Sequence, residues 1–341
     1  MIDIDMCLQD GIKGSTMIND ISDISVIIAT YNRDEDLRKT LEGMVRIDKG
    51  DLAVEFIVVD NGSTDQTKFV VESFSDRLPI QYIFEACSGK NCALNTALDR
   101  CKLGKIVVFT DDDIDVSSDW LVSIQSVCDR WPNHAVFGGK INVVFPCEKV
   151  PKWTSDPFIS SLCFAHHNYS DKECVYRDGT APFGGNYWAR REVFDNGRRF
   201  DKRMGPRPTN RIMGNETSFL IGLLKDGYDI VYSPAVVVGH RVQPKTLKFS
   251  DICLRGYRLG RGEAHYLGLP GQALLRKNQI LWITYRNGTI LWYGFKVIAA
   301  FIFSKREQRR RNVVEKMRGL GYRVEAVRLA NKVLTQLREQ T

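Results

Sequence analysis

Residues 105–113 read Lys-Ile-Val-Val-Phe-Thr-Asp-Asp-Asp, an apolar run that ends in three adjacent aspartates. A continuous β-branched run predicts a strand that is buried on both faces. Neighbouring carboxylates repel one another, so a fold that places them at a strand end needs a compensating cation. The alternative is a solvated acidic turn at the start of a helix. The position directly after a buried strand favours the cation, and oxygen ligands suit Mg²⁺ or Mn²⁺.

Similar apolar runs precede this one, at residues 24–30, 54–60 and 80–84. Helical patterns follow them: one runs to about residue 45 and begins with a capping box of Asn32 and Glu35, and the others lie at residues 65–74 and 91–101. This alternation predicts a parallel α/β sheet with right-handed crossovers. Ligands bind beyond the carboxyl ends of such strands. We therefore expect four polar loops to share one edge of the sheet, at residues 30–33, 60–63, 85–91 and 111–113.

The net charge of +7 over 341 residues is unevenly distributed. Residues 276–341 hold 15 basic and 4 acidic side chains, a net +11, which leaves −4 for the preceding 275 residues. A mildly acidic body excludes a uniformly basic nucleic-acid binder, so we expect no nucleic-acid partner. The basic tail predicts an appendage that seeks an anionic surface.

The tail contains an apolar stretch from Thr289 to Phe303, with Trp and Tyr residues nearby and a basic cluster at 305–311. A spanning helix needs about 20 apolar residues, so the pattern favours a helix in the interface of an anionic membrane. The alternative is a helix that docks on the protein itself. A second helix is predicted from Val313 to Leu337, divided at Gly319 and Gly321.

Nine cysteines are scattered along the chain without a Cys-x-x-Cys pair. This pattern predicts reduced thiols in a cytoplasmic protein and neither a disulfide framework nor a metal centre. Residues 1–22 are polar and contain no apolar segment of the secretory type, so we interpret them as a leader. We expect a cytoplasmic location, with peripheral attachment to the inner face of the cell membrane through the tail.

Four segments stand in order: Ser-Val-Ile-Ile-Ala-Thr-Tyr-Asn-Arg (25–33), Val-Asp-Asn-Gly-Ser-Thr-Asp (59–65), Gly-Lys-Asn with Ala-Leu-Asn (89–95) and Phe-Thr-Asp-Asp-Asp (109–113). Further matches follow at residues 184–186, 200–201, 214–219, Pro234 and His240. The ordered set resembles family 2 glycosyltransferases of the GT-A fold. The resemblance implies an α/β fold with a mostly parallel, Rossmann-like sheet flanked by helices, followed here by a C-terminal helical extension.

The resemblance covers residues 23–262, which would form the GT-A domain. Its nucleotide-binding half would span residues 23–115, and its acceptor half residues 116–262. Residues 263–341 would form the basic helical extension.

The resemblance also assigns roles to matching positions. The residues that it places around the donor are Thr30, Tyr31, Arg33, Asp60, Lys90, Asn91, Asp111 and Asp112. Asp60 would meet the base, or else act as a turn-forming residue. Asp113 and His240 would hold the metal, although His240 could instead be a buried structural histidine.

The family usually shows Glu-Asp at a helix start, where the Asp takes the proton of the acceptor. The aligned pair here is Asn215-Glu216, so Glu216 is the predicted general base. The alternative is a first-turn glutamate behind an Asn215 cap. Asp201 is a second candidate base, and Trp188 could line the sugar site or belong to the core.

The resemblance thus implies an inverting, metal-dependent glycosyltransferase that uses a nucleotide-sugar donor of the UDP or dTDP type. The acceptor would be a glycan or a lipid-linked sugar in surface polysaccharide or glycolipid synthesis. Two alternatives are a nucleotidyltransferase and a non-catalytic membrane scaffold that binds nucleotide sugar. A nucleotidyltransferase would be expected to carry a Gly-rich loop after the first strand, and Thr-Tyr-Asn-Arg at residues 30–33 is not such a loop.

Overall fold

A computed structural model describes residues 22–207, 211–267, 279–305 and 308–339. The predicted leader lies outside the described residues except for Ser22. The side chains of residues 279–286, which include two aromatic residues of the tail, also lie outside them.

The strands are β1 (Ile24–Thr30), β2 (Val54–Asp60), β3 (Ile80–Phe84), β4 (Ile106–Thr110), β5 (Ile114–Val116), β6 (Val136–Val144), β7 (Cys174–Val175), β8 (Tyr187–Arg190) and β9 (Ile230–Arg241). The helices are α1 (Asp34–Val45), α2 (Thr67–Glu72), α3 (Lys90–Arg100), α4 (Trp120–Arg130), α5 (Pro157–Phe164), α6 (Glu192–Asp195), α7 (Asn215–Lys225), α8 (Phe249–Tyr266), α9 (Gln279–Phe303) and α10 (Arg309–Glu339).

The strands form one sheet in the order β3-β2-β1-β4-β8-β6-β9-β5, with β7 beside β9. Strands β1 to β4 are parallel, as the sequence predicts, and β8 joins them to the second half in antiparallel orientation. Thr30 pairs with Asp60, so β1 and β2 end level, and Ile28 pairs with Thr110, so β4 ends two residues earlier along the same direction. This register confirms that the loops after these strands lie along one edge of the sheet.

Both faces of the sheet are buried, which explains why its central strands read as unbroken apolar runs. Val26 and Ile28 face α1 and α4, where the packed side chains include Leu41 and Trp120. Ile27 faces the opposite side, where α3 and α7 cover the sheet. In the ranges that the structure describes, helices therefore cover both faces of the sheet, and a ligand is expected at the strand ends.

The predicted division of the last helix is wrong, because α10 continues through both glycines. A Cβ atom on Gly321 would lie 1.9 Å from the Tyr257 carbonyl oxygen of α8, and one on Gly260 would lie 1.8 Å from the Arg318 carbonyl oxygen. These glycines allow two helices to pack at close range. The buried Glu325 carboxylate accepts a bond of 2.7 Å from Arg261 and fixes the same interface. Helix α10 is thus part of the packed body.

Helix α9 packs along α10 and turns its other side outward. No helix in the part of the chain that the structure describes has the length and apolar character needed to span a bilayer.

The prediction of reduced thiols is wrong for one pair. The structure joins Cys87 and Cys92 by a disulfide, because the first turn of α3 carries Cys92 back to the loop after β3. Six other cysteines in the described ranges are free. A separation of five residues matches none of the spacings that signal a disulfide or metal site in a sequence.

Candidate active site

The three aspartates after β4 occupy three different environments. Asp111 forms an ion pair with Lys90. The buried Asp112 accepts a 2.8 Å bond from the Thr30 hydroxyl and lies 3.2 Å from Arg33 Nη1. Asp113 accepts a 2.9 Å bond from Arg33 Nη2 and lies 3.5 Å from His240 Nε2. The repulsion that the sequence predicts is therefore relieved by cationic side chains of the protein.

The carboxyl groups differ accordingly in their pKa. Burial raises the pKa of Asp112 to about 7, although Arg33 opposes the shift. Burial would also raise the pKa of Asp113, but His240 and Arg33 outweigh it and hold that pKa below its usual range. Asp113 is therefore the more strongly ionised of the two.

His240 lies at the end of β9, opposite Ile114. Its Nδ1 is 2.8 Å from the Phe164 carbonyl oxygen, which can only accept, so Nδ1 carries a proton. This bond leaves Nε2 to face Asp113, and a fixed Nδ1–H of this kind orients histidine ligands in metal sites. Asp113 Oδ1 is buried and has no hydrogen-bond partner. These two atoms are suited to a cation.

No group of three or more His, Cys, Asp or Glu side chains in the described ranges is arranged to hold a metal by itself. Mg²⁺ is usually held by one or two carboxylates, retained waters and the phosphates of a substrate. The pair of Asp113 and His240 fits that pattern and does not fit a closed structural site.

Arg241 holds the loop after β4 in place, and it was not among the site residues predicted from the sequence. Its guanidinium donates to the Thr40 hydroxyl at 2.6 Å and to the Ile114 carbonyl at 2.9 Å, and its backbone N–H donates to the Asp113 carbonyl. Thr40 in turn donates to the Asp112 carbonyl at 2.7 Å. Only the neighbouring His240 in the sequence could have drawn attention to it.

At the end of β2 the buried Asp60 accepts bonds of 2.8 Å from the Ser63 N–H and from the Tyr82 hydroxyl. The turn-forming interpretation is thus realised, whereas base recognition stays a prediction. The neighbouring Asn61 was missed: it donates to the Cys87 carbonyl at 2.7 Å and accepts from the Gly89 N–H at 2.6 Å. Asn61 therefore sets the path of the loop that delivers Lys90.

The loop after β1 is tied to the loop after β2. The predicted capping box is wrong, because Arg33 precedes α1 and Asn32 instead accepts a 2.7 Å bond from the Thr64 N–H. Asn32 adopts a positive φ of 49°, which asparagine tolerates better than most residues. The adjacent Tyr31 is 41% exposed at the edge of the sheet.

Lys90 connects the two halves of the site. It begins α3, and its ammonium contacts Asp111 and lies 2.5 Å from Glu216 Oε1. Burial would lower the pKa of Lys90, but Asp111 and Glu216 outweigh it and raise that pKa. Glu216 is the second residue of α7, where Gly184 leaves room for it: a Cβ on Gly184 would lie 2.5 Å from its carboxyl carbon.

Three further predicted residues, Asn91, Asn215 and Asp201, lie next to the Lys90–Glu216 contact and bond to other parts of the protein. The buried Asn91 donates to the Asp201 carbonyl at 2.8 Å and accepts from Asn215 at 3.0 Å. Asn215 is not the cap of α7, because Gly214 holds that place with a φ of 88°. The carboxylate of Asp201 is held by Arg203 at 2.7 Å.

Trp188 does not line the site. It is fully buried, and its ring stacks on Phe137 with the centroids 5.6 Å apart. The core interpretation is therefore correct, since β8 lies inside the sheet and presents this ring to its covered face.

Comparison with known proteins now decides the family. The sequence profile of glycosyl transferase family 2 matches residues 25–198, about half of the chain. The chain belongs to glycosyl transferase family 2. It is a glycosyltransferase, so the nucleotidyltransferase and the non-catalytic scaffold are set aside.

Two relatives of this family 2 enzyme span most of its length. The glycosyltransferase AglE of Haloferax volcanii is 26% identical over 264 residues, 76% of this chain and 79% of that protein. The succinoglycan biosynthesis protein ExoM of Rhizobium meliloti is 26% identical over 267 residues, with the same coverage. Among solved structures, one that matches is the mannosyltransferase PcManGT of Pyrobaculum calidifontis in complex with GDP-Man and Mn²⁺. The match includes 90% of this chain and 87% of that protein, with a TM-score of 0.56 and a sequence identity of 20%. That likeness supports the GT-A fold.

Proposed function

We propose that this enzyme transfers a sugar, with inversion, from a nucleotide-diphosphate sugar to an acceptor hydroxyl in a metal-dependent reaction. The observation that carries the proposal is the position of Lys90 between Asp111 and Glu216. It brings the candidate base to the edge of the sheet where the donor of a GT-A enzyme would lie. Separate measurement of donor binding and transfer in a Glu216 variant tests this assignment.

The donor is proposed to lie across the ends of β1, β2 and β4. The exposed ring of Tyr31 offers a face on which a base can stack. Asp60 retains free lone pairs that could accept the N3–H of uracil or thymine, which favours a donor of the UDP or dTDP type. Thr30, Arg33, Asp111 and Asp112 complete this region, whereas the buried Asn91 supports it from behind.

Asp113 Oδ1 and His240 Nε2 are proposed as the metal ligands. Bound there, Mg²⁺ or Mn²⁺ would supply positive charge to the departing diphosphate. Arg33 holds the other Asp113 oxygen and keeps the carboxylate ionised. Lys90 adds a second fixed cation on the same side of the site.

Glu216 is proposed to accept the proton of the acceptor hydroxyl. The acceptor oxygen then forms a bond to the anomeric carbon as the bond from that carbon to the diphosphate oxygen breaks, and the diphosphate leaves with the electron pair. A single in-line displacement inverts the anomeric centre. Because Lys90 lies 2.5 Å from Glu216, it fixes the carboxylate for this task.

Substitution of Gly184 by Ala tests whether the position of Glu216 matters. The new methyl group would meet the Glu216 carboxyl carbon at 2.5 Å and displace it. Because displacements of about 1 Å can cost ~10²-fold in rate, we expect kcat to fall at least about tenfold with the donor KM nearly unchanged. Gly222→Ala on α7, where a Cβ meets nothing within 4 Å, is the control and should keep full activity. An unchanged kcat in Gly184→Ala would argue against this role of Glu216.

We further propose that α9 attaches the enzyme to an anionic membrane, where a lipid-linked acceptor would lie. Leu291, Phe295 and Ile298 fall on one helix face and are 74%, 56% and 57% exposed. Exposed cations follow directly at Lys305, Arg310 and Arg311. An apolar face flanked by cations is typical of helices that lie in the membrane interface.

Triple substitution of Leu291, Phe295 and Ile298 by Gln should weaken co-sedimentation with phosphatidylglycerol vesicles by at least about tenfold, since each buried apolar side chain contributes about 1.5–3 kcal/mol. Deletion of the whole tail is a poorer test because α10 packs against α8. Phe69→Gln on α2, where the side chain is 62% exposed, is the control for lost surface apolarity. Equal vesicle binding by the triple variant and the wild type would contradict the attachment.

A further inference from the structure

Three arginines form a wall beside the candidate active site. Arg255 and Arg258 are three residues apart on α8 and so share one face of the helix. Arg211 belongs to the loop that leads to α7, and this loop lies against α8: the Met213 N–H donates to the Arg258 carbonyl at 3.4 Å. A Cβ on Gly262 would lie 1.7 Å from the Met213 carbonyl oxygen, which confirms the close approach.

None of these three arginines forms an ion pair with a carboxylate in the ranges that the structure describes. The side-chain bond of Arg255 runs from Nε to the Leu162 carbonyl at 3.4 Å. Other arginines at the same helix interface are paired, since Arg261 bonds to Glu325 and Arg318 bonds to Glu263. The lack of an acidic partner is therefore specific to the three arginines of the wall and is not a general feature of arginines along α8.

The wall lies beside the start of α7: Met213, whose N–H donates to the Arg258 carbonyl at 3.4 Å, is three residues before Glu216. Burial and the nearby Arg258 lower the pKa of Arg255, whereas Asp113 and Asp111 raise it. Partial desolvation and the charges of Arg255, Arg258 and Arg33 lower the pKa of Arg211. Guanidinium groups that lie close together and form no ion pair with an acid repel one another, and a bound anion would offset that repulsion.

We propose that Arg211, Arg255 and Arg258 bind a phosphate or diphosphate group of the acceptor, an inference that rests on the proposed function. The guanidinium fork matches phosphate oxygens in a bidentate manner, which makes arginine suited to this task. The acceptor is then a sugar joined to its carrier through phosphate.

The position of the wall favours the acceptor over the donor. Arg211 lies on the loop that leads directly to Glu216, the proposed base for the acceptor hydroxyl. The donor diphosphate has cations of its own in Lys90, Arg33 and the proposed metal. Helix α8 also packs against α10, and α10 against the exposed α9, so a carrier held in a membrane could present its phosphate to this wall.

Calorimetric titration of the full chain with octyl phosphate tests the proposal. With UDP and Mn²⁺ present, the wild type should bind octyl phosphate and not octyl glucoside, which has the same chain without the phosphate. Arg255→Gln with Arg258→Gln should bind it at least about tenfold more weakly, because a hydrogen bond to a charged group is worth about 1.5–3 kcal/mol. UDP affinity should stay within about twofold. Lys245→Gln with Lys248→Gln removes two exposed cations near the start of α8 and should bind like the wild type.

Three results would overturn the proposal: equal octyl phosphate binding by the double variant, competition between UDP and octyl phosphate, or a loss of UDP affinity that parallels the loss of octyl phosphate. The last two would assign the wall to the donor diphosphate. Failure of the proposed function would give another result. UDP would then bind neither the wild type nor the double variant, whereas octyl phosphate would still bind the wild type more tightly than the double variant. If the double variant does not fold, Arg255→Lys keeps the charge, removes the fork and should weaken octyl phosphate binding by itself.

Discussion

Replacement of Glu216 by Gln is expected to abolish most sugar transfer while donor binding persists. Gln keeps the size of the side chain and an oxygen for the 2.5 Å contact with Lys90, but it cannot accept a proton from the acceptor. General base catalysis contributes about 10²–10⁴-fold, so kcat should fall by that factor. Product formation with a radiolabelled donor gives the rate, and calorimetry gives the affinity for the nucleotide.

Asp201→Asn is the matched control, because Asp201 was the second candidate base and its carboxylate is held by Arg203 at 2.7 Å. This variant should keep activity within a few-fold of the wild type. Undiminished transfer by Glu216→Gln would remove Glu216 from the mechanism. Equal losses in Asp201→Asn and Glu216→Gln would leave the choice of base unsupported.

The second large effect is expected at Asp113. Asp113→Asn removes the charge from the proposed metal ligand, whose Oδ1 is buried without a partner. A metal ion provides several kcal/mol of stabilisation to developing charge, so transfer should fall about 10²-fold or more. A Mn²⁺ titration of activity should show a much higher half-saturating concentration, and a chelator should inactivate the wild type until Mn²⁺ is returned.

Asp115→Asn provides the comparison for Asp113→Asn, because Asp115 lies two residues further on and pairs with Arg241 at the surface. Its metal requirement should match that of the wild type. Retention of full activity and of an unchanged Mn²⁺ requirement in Asp113→Asn would refute the assignment of the metal site.

The central strands were predictable because each is buried on both faces and therefore unbroken in its apolar pattern. The predicted bounds of β1, β2 and β3 agree with the structure. β9 extends from Ile230 to Arg241. Pro234 and Gly239 interrupt the apolar pattern of β9, so local propensity does not predict the full strand. Pairing with β6 and β5 holds these residues in the strand.

The site was predictable only in part, because its contacts join residues far apart in sequence. The motifs indicated Lys90, Asp111 and Glu216 separately, but no local pattern states that one ammonium holds both carboxylates. Likewise, Gly319 reads as a helix breaker, whereas its role is to admit the Tyr293 ring, which a Cβ would meet at 2.3 Å. Such roles depend on packing between elements.

The central claim is metal-dependent use of a nucleotide sugar. The most direct test is release of nucleoside diphosphate from a panel of nucleotide sugars by the purified enzyme, with Mn²⁺ or with a chelator. We predict release from one donor or a few related donors, seen with Mn²⁺ and lost with the chelator. Release that the chelator leaves unchanged, or no release from any donor with or without lipid-linked acceptors, would contradict the account.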